Sequence, residues 1–326
     1  MIPRKLGVLA VGTAAALALT LAACSGGGAP QTESNDGSGG GGGNSGYTIA
    51  MVTHETPGDT FWDKIRAGAE QAAKDTGSEL KYSNDPQADK QAQLIQAAVD
   101  SKVDGIATTL VTPDALAGAV KSATNAGIPL VGFNSGIDDY QKLGALMYFG
   151  SDETLAGQTA GERIAKAGGK HPLCVIQAAG SVALEARCAG VKAKVPGTEN
   201  IQVNGADGSA VVASLQAKLQ QDPSIVTLGA PIALDALKSM EQSSSKAKLI
   251  TFDLNVDAAQ AIKDGKIEFS IDQQPYLQGY LAVSSLYLYI KNGNDIGGGK
   301  AVLTGPSFVD KDNIDAILPF AKNNTR

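Results

Sequence analysis

From Tyr47 onward, short apolar runs alternate with longer stretches whose apolar positions recur every three or four residues. The first pattern predicts buried strands and the second amphipathic helices. Strands are expected at Tyr47–Thr53, Leu80–Ser83, Gly105–Leu110 and Ile128–Phe133. Between them lie helices at Phe61–Thr76, Ala88–Ser101 and Pro113–Ala126. The first helix carries Phe61, Ile65, Ala69 and Ala72 on one stripe and stops at Gly77. Thr60 and Asp63 have the spacing of a capping box at its start, and Pro113 suits the first turn of the third.

The alternation restarts after Gly150. Helices are expected at Glu153–Ala167, Leu184–Ala193, Ser209–Gln221, Ala233–Gln242, Ala258–Lys263 and Gln278–Ile290. Strands are expected at Pro172–Gln177, Ile201–Asn204, Ile225–Leu228, Leu249–Phe252, Ile267–Ile271 and Lys300–Leu303. The tail Pro306–Arg326 carries no clear period. Apolar strands separated by amphipathic helices imply parallel sheets covered on both faces. A faint repeat adds a second implication. Ile106–Ser135 ends its second strand in Val131-Gly132-Phe133-Asn134, and Ile225–Asn255 ends its own in Ile250-Thr251-Phe252-Asp253. Each unit puts a polar side chain at the carboxyl end of an apolar strand, where open α/β sheets bind ligands. Two such units suggest two similar lobes facing a cleft.

The N-terminus follows other rules. Arg4 and Lys5 precede an uncharged run, Leu6–Ala23, and Cys24 follows Leu21-Ala22-Ala23. A basic start before such a run is an export signal, and the run is barely long enough for the alternative, a transmembrane helix. Cys directly after Leu-Ala-Ala resembles a bacterial lipobox. That resemblance implies cleavage before Cys24 and lipid on its thiol, so residues 1–24 are read as a lipoprotein signal. Residues 25–46 are rich in Gly and Ser and bury too little to order themselves. They are expected to form a disordered linker reaching about 25 Å. Gly41, Gly43 and Gly46 fit a dinucleotide fingerprint, but they precede a strand instead of following one.

Composition narrows the partners. The formal charge is −6 and no basic block occurs, which argues against nucleic acid. Two His and three Cys leave too few ligands for a zinc site, and no metal or cofactor is expected. Cys174 and Cys188 are either buried free thiols or, outside the cytoplasm, a disulfide worth about 3 kcal/mol. Pairing and compartment agree, so the disulfide is expected.

The loop His54-Glu55-Thr56-Pro57-Gly58-Asp59-Thr60-Phe61-Trp62 carries the only Trp. A large ring in a strand-to-helix loop either packs under it or offers a face to a ligand, and the loop alone fits both. Sugar rings stack C–H faces on aromatics, and their hydroxyl edges suit Asp, Asn, Gln and Arg.

This loop, with Pro113-Asp114-Ala115-Leu116, Ala126-Gly127-Ile128-Pro129-Leu130-Val131 and Asn134-Ser135-Gly136, resembles the first lobe of ribose-type periplasmic binding proteins. Gly150-Ser151-Asp152-Glu153 with Ala156-Gly157 and Ala160-Gly161 resembles the crossover into their second lobe. The resemblance implies an α/β fold of two Rossmann-like lobes with parallel sheets, joined by three hinge strands. The N-terminal lobe would comprise residues 47–150 and 274–302, and the C-terminal lobe residues 151–273 and 303–326. It also implies a ligand site: Phe61 and Trp62 as stacking rings, Asp59 in the loop, Asn134 and Ser135 after the fourth strand, Arg187 in the second lobe, Asp253 at a strand end, and Gln273 at the second hinge. The family's Asp-Arg pair is replaced here by Asn134-Ser135, and its Asn before the helix led by Pro231 by Gly229-Ala230. Ribose itself loses contacts by those changes. Other pentoses, a hexose, inositol or a linear polyol remain open.

The expected function is capture of a small sugar or polyol by hinge closure and delivery to an ABC permease and its ATPase. The protein would act as a monomer, held by lipid on Cys24 at the outer face of the cytoplasmic membrane. A sugar-sensing subunit for a membrane receptor kinase would leave the same sequence. An enzyme on this scaffold lacks support, because no G-x-S-x-G, H-E-x-x-H or P-loop occurs and Asp152-Glu153 is explained as a helix start. A DNA-binding regulator would need a headpiece where the signal and linker stand.

Overall fold

The computed structural model describes residues 45–219 and 224–326. The signal segment, Cys24 and all but the last two residues of the linker lie outside the described residues. Ser45, expected to belong to that coil, is already tied down: its N–H and hydroxyl both donate to the Gly77 carbonyl, at 2.7 and 3.0 Å.

Among the described residues, twelve strands form two six-stranded sheets, with eleven helices around them. The first sheet runs β11(Val302–Gly305)-β5(Met147–Ser151)-β4(Leu130–Phe133)-β3(Gly105–Thr109)-β1(Thr48–Thr53)-β2(Glu79–Asn84). The second repeats that layout as β12(Ser307–Asp310)-β10(Phe269–Asp272)-β9(Leu249–Phe252)-β8(Ile225–Thr227)-β6(Leu173–Ile176)-β7(Glu199–Gln202). All pairings are parallel except β10 with β12. Central strands such as β3, β4 and β9 are buried along their whole length, as helices on both faces require.

In the first lobe, α1(Phe61–Thr76) and α10(Pro275–Asn292) cover one face around Ile49, Met51, Ile65 and Leu286. The helices α2(Ala88–Asp100) and α3(Pro113–Asn125) cover the other, around Ile95, Ile106 and Val120. In the second lobe, α5(Glu153–Lys166) and α6(Val182–Lys194) form one layer. The opposite layer comprises α7(Gly208–Gln216), α8(Ala230–Gln242), α9(Val256–Lys263) and α11(Ile314–Lys322). Glycine lets two of these helix pairs touch backbone to backbone. A Cβ on Gly68 would lie 2.0 Å from the Tyr276 carbonyl, and one on Gly157 2.1 Å from that of Arg187.

The chain passes between the sheets three times: from β5 into α5, from β10 into α10, and from β11 into β12. The two-lobed α/β architecture read from the sequence is therefore present. Several details differ. The sequence left β5 and the short α4(Tyr140–Leu143) unassigned, and the tail forms β12 and α11. The strand expected at Ile201–Asn204 starts two residues earlier, because β7 is an edge strand exposing Glu199 and Asn200. The Thr60–Asp63 capping box is not formed. Thr60 has helical backbone angles and makes no side-chain cap, while Asp59 Oδ1 accepts the Phe61 N–H at 3.0 Å. No described helix is long and apolar enough to cross a membrane.

Candidate functional site

The carboxyl ends of strands in both sheets open onto one cavity of about 260 Å³. The loop after β1 and the start of α1 bring His54, Asp59, Phe61 and Trp62; the end of β4 brings Asn134. From the second sheet come Gln177 after β6, Arg187 on α6, Leu228 and Gly229 after β8, Asp253 after β9 and Gln273 after β10. Of the residues nominated from sequence, Asp59, Phe61, Trp62, Asn134, Arg187, Asp253 and Gln273 thus share one cavity. Ser135 does not line it. Its carbonyl accepts the Leu110 N–H, and its buried hydroxyl has no partner.

Asn134 and Asp253, the two ends of the sequence repeat, adopt the same unusual backbone. Their φ angles are 65° and 62°, in the left-handed region that Asn and Asp tolerate best among side chains with a Cβ. That turn aims each short polar side chain into the cleft beyond its strand. Gln273 joins them. Its Nε2 donates to Asp253 Oδ1 at 2.9 Å, and its Oε1 accepts Asn134 Nδ2 at 3.0 Å. Gln278 braces the bridge by donating to Gln273 Oε1 at 3.0 Å and accepting from Asn134 at 3.2 Å. Asp253 is no helix cap; Asn255 fills that role by accepting the Ala258 N–H at 2.8 Å.

Arg187 is more committed than its sequence suggested. Its Nε and Nη2 donate to the two carboxylate oxygens of Glu153 at 2.6 and 3.0 Å, and Nη1 donates to the Leu228 carbonyl at 3.0 Å. The guanidinium lies over the Phe252 ring, 4.6 Å from its centre, and 3.8 Å from Asp253 Oδ2. Burial alone would lower its pKa, but Glu153 and Asp253 outweigh that and hold it above the ordinary value. Sequence reading missed Glu153, treating it as a helix start. Asp152 caps the helix by accepting the Leu155 N–H at 2.8 Å, and Glu153, its first residue, holds Arg187 as well. Gln177 was also missed; its Oε1 is buried without a partner.

The aromatic wall is packed as well as exposed to the cavity. Phe61 and Trp62 belong to the core of the first lobe and meet edge to face, with centroids 5.2 Å apart. His54 meets Trp62 in the same way at 4.7 Å, and its Nδ1 lies 2.8 Å from the Thr109 hydroxyl. Burial pushes the His54 pKa down to about 3, so the ring is neutral near pH 7. Burial pushes Asp253 up to about 7, against the pull of Arg187 and Gln273. It also raises Asp59, opposed by the Phe61 N–H and Lys64.

Cys174 on β6 and Cys188 on α6 form the expected disulfide, with Cα atoms 5.8 Å apart. It pins the helix that carries Arg187 to its sheet. Among the described residues, no group of three or more His, Cys, Asp or Glu is placed to hold a metal ion. The cavity offers neutral and ionic hydrogen-bonding groups beside apolar ring edges, a lining suited to a compact hydroxylated molecule.

Comparison with known proteins agrees with this geometry. A family model described as a periplasmic binding protein domain matches residues 49–295. The xylose/arabinose-binding protein of Sulfolobus acidocaldarius is 28% identical over 249 residues, which are 69% of this chain and 61% of that protein. The chain therefore spans less than two thirds of that relative. The ribose import binding protein of Haemophilus influenzae is 28% identical, over 72% of this chain and 83% of that one. Among solved structures, a carbohydrate transporter from Acidothermus cellulolyticus in complex with myo-inositol is 54% identical. It covers 86% of this chain and 99% of its own, with a TM-score of 0.84. An ABC transporter solute-binding protein from Burkholderia graminis, in complex with D-arabinose, is 27% identical over 82% of this chain and 96% of its own, with a TM-score of 0.74. These relatives are sugar-binding transport proteins and not enzymes.

Proposed function

This chain belongs to the periplasmic binding protein family, and from that premise we propose that it captures a small sugar or polyol outside the cytoplasm for an ABC transporter. One observation carries the reading: polar groups at strand ends of both sheets, with a wall of aromatic side chains, converge on one cavity. A ligand that touches both walls binds the closed arrangement better than an open one, and that difference drives closure about the three crossings. The bodies that move are the lobes expected at residues 47–150 with 274–302, and 151–273 with 303–326, except that residues 303–305, which continue β11 in the first sheet, go with the first. The closed form then delivers its ligand to the permease, as a monomer tethered through lipid on Cys24.

The relative with myo-inositol bound, at 54% identity, makes a cyclitol the first ligand to try. A ring with a hydroxyl on every carbon suits this cavity: Asp253 and the Gln177 carbonyl accept, and the Arg187 N–H groups left over from Glu153 and Leu228 donate. Micromolar affinity needs about 8 kcal/mol, within reach of several hydrogen bonds to charged groups at about 1.5–3 kcal/mol each.

Trp62, the sole Trp, supplies the test. Titration with myo-inositol, then with pentoses, hexoses and linear polyols, should give a saturable fluorescence change and a rise in melting temperature with at least one of them. Asp253→Ala should abolish the rise. Silence across the whole panel would sink the proposal.

A further inference from the structure

Asp272 and Ser307 are cross-strand partners where β10 and β12 leave the second sheet for two of the three crossings. Asp272 is fully buried, and a carboxylate in such a place needs a cation. Arg326, which follows α11, supplies it. Its Nε donates to Asp272 Oδ2. The same guanidinium donates through Nη1 to Gln274 Oε1 at 3.1 Å and through Nη2 to the Ser307 hydroxyl at 3.4 Å. The other Asp272 oxygen accepts the Gln274 N–H at 2.9 Å. Gln274 itself holds a left-handed backbone, with φ at 56°, and its Nε2 donates to the Thr304 carbonyl on β11, just before the third crossing.

Between these two gripped residues stands Gln273, whose amide joins Asn134 to Asp253. A left-handed Gln is strained and persists only where its surroundings impose it. Among the described residues, Arg326 holds both neighbours of Gln273 while touching neither Gln273 nor the cavity. We propose that Arg326 is a positioning residue for the cleft: by fixing Asp272 and Gln274, it sets the Gln273 amide that links the two walls. The inference rests on the reading of this cleft as a hydroxyl-binding site, and deepens it by naming what holds its central bridge in place.

Two variants and two readouts test it. Arg326→Ala removes the grip; Arg326→Lys keeps a charge on Asp272 but loses the contacts to Gln274 and Ser307, and serves if the alanine variant does not fold. The first readout needs no ligand: solvent exchange of the Gln273 side-chain amide protons by NMR, assigned through their loss in Gln273→Leu. Exchange should quicken by at least about tenfold in both variants as the bridge opens more often. The second readout is affinity for whichever panel sugar the wild-type protein binds, expected to weaken about tenfold, the equivalent of one lost hydrogen bond. Methylguanidinium should restore part of the affinity of Arg326→Ala, and ethylammonium should not. Wild-type exchange at Gln273 in both variants overturns the proposal, even if melting temperature or affinity falls, because Arg326 would then act on general stability alone. If the wild-type protein binds no panel member, the reading of the cleft fails, and the exchange rates still decide the role of Arg326.

Discussion

Glu153 and Arg187 face each other as a two-pronged ion pair in which each is 3% exposed. The pair binds the first turn of α5, just past the first crossing, to the arginine at the cavity wall. Taking either partner away leaves a buried charge without compensation, which costs about 3–5 kcal/mol. Glu153→Ala should lose stability of that order in urea denaturation. The double variant Glu153→Ala with Arg187→Met should lose less than the sum of the single losses. Additive losses would show that the two side chains act independently.

Two buried groups give the protein opposing responses to acid. The folded Asp253 carboxyl keeps its proton up to about pH 7, whereas an unfolded one gives it up near pH 4, at about 3.9. Its contribution to stability is therefore fully present below about pH 4 and is lost as pH rises through 7. The folded His54 refuses a proton down to about pH 3, while the unfolded ring takes one near pH 6.5. That contribution is present above 6.5 and is lost as pH falls. Urea titrations of Asp253→Asn and His54→Asn should separate them. Wild type should lose ground to the first variant as pH rises from 4 to 7, and to the second as it falls below 6.5. Ligand affinity should also rise with pH up to about 7, since a hydroxyl donates to the ionised carboxylate.

Trp62 answers the sequence's choice between core and ligand with both. It is 4% exposed within the first-lobe core and still lines the cavity. Trp62→Ala should lower stability by about 3–5 kcal/mol and remove the ligand-induced rise in melting temperature. Trp62→Phe keeps an aromatic ring and should recover most of the stability but only part of the affinity. Equal recovery of both would reduce Trp62 to a packing residue.

The Cys174–Cys188 disulfide closes a short loop, and removing it by a double Ala substitution should cost about 3 kcal/mol. Its loss should be read first in thermal melts. Sugar affinity should change little, because Arg187 keeps its pairs with Glu153 and Leu228. A large loss of affinity would mean that the crosslink itself orients α6.

The sequence shows the fold through local signals. Alternating periods located most of the strands and helices of both lobes, and the paired endings at Asn134 and Asp253 pointed at the cleft before any contact was visible. Signals failed where partners lie far along the chain. Glu153 reads as a helix start because Arg187, its partner, is 34 residues away. Gln177, Gln278 and Arg326 carry no local mark, since an amide or a guanidinium looks alike in sequence whether solvated or buried. The edge strand β7 is too polar for periodicity to set its start, and the tail strand β12 too short for periodicity to find. Thr60 misled because the capping pattern lies in the residue types, whereas the turn at Gly58-Asp59 set the backbone and gave Asp59 the contact with the helix start.

Gly68 and Gly157 bring the helix pairs α1–α10 and α5–α6 into direct main-chain contact. At those two points no side chain lies between the rods, and even a methyl group would wedge them apart. Each seam therefore admits a hydrogen atom and nothing larger.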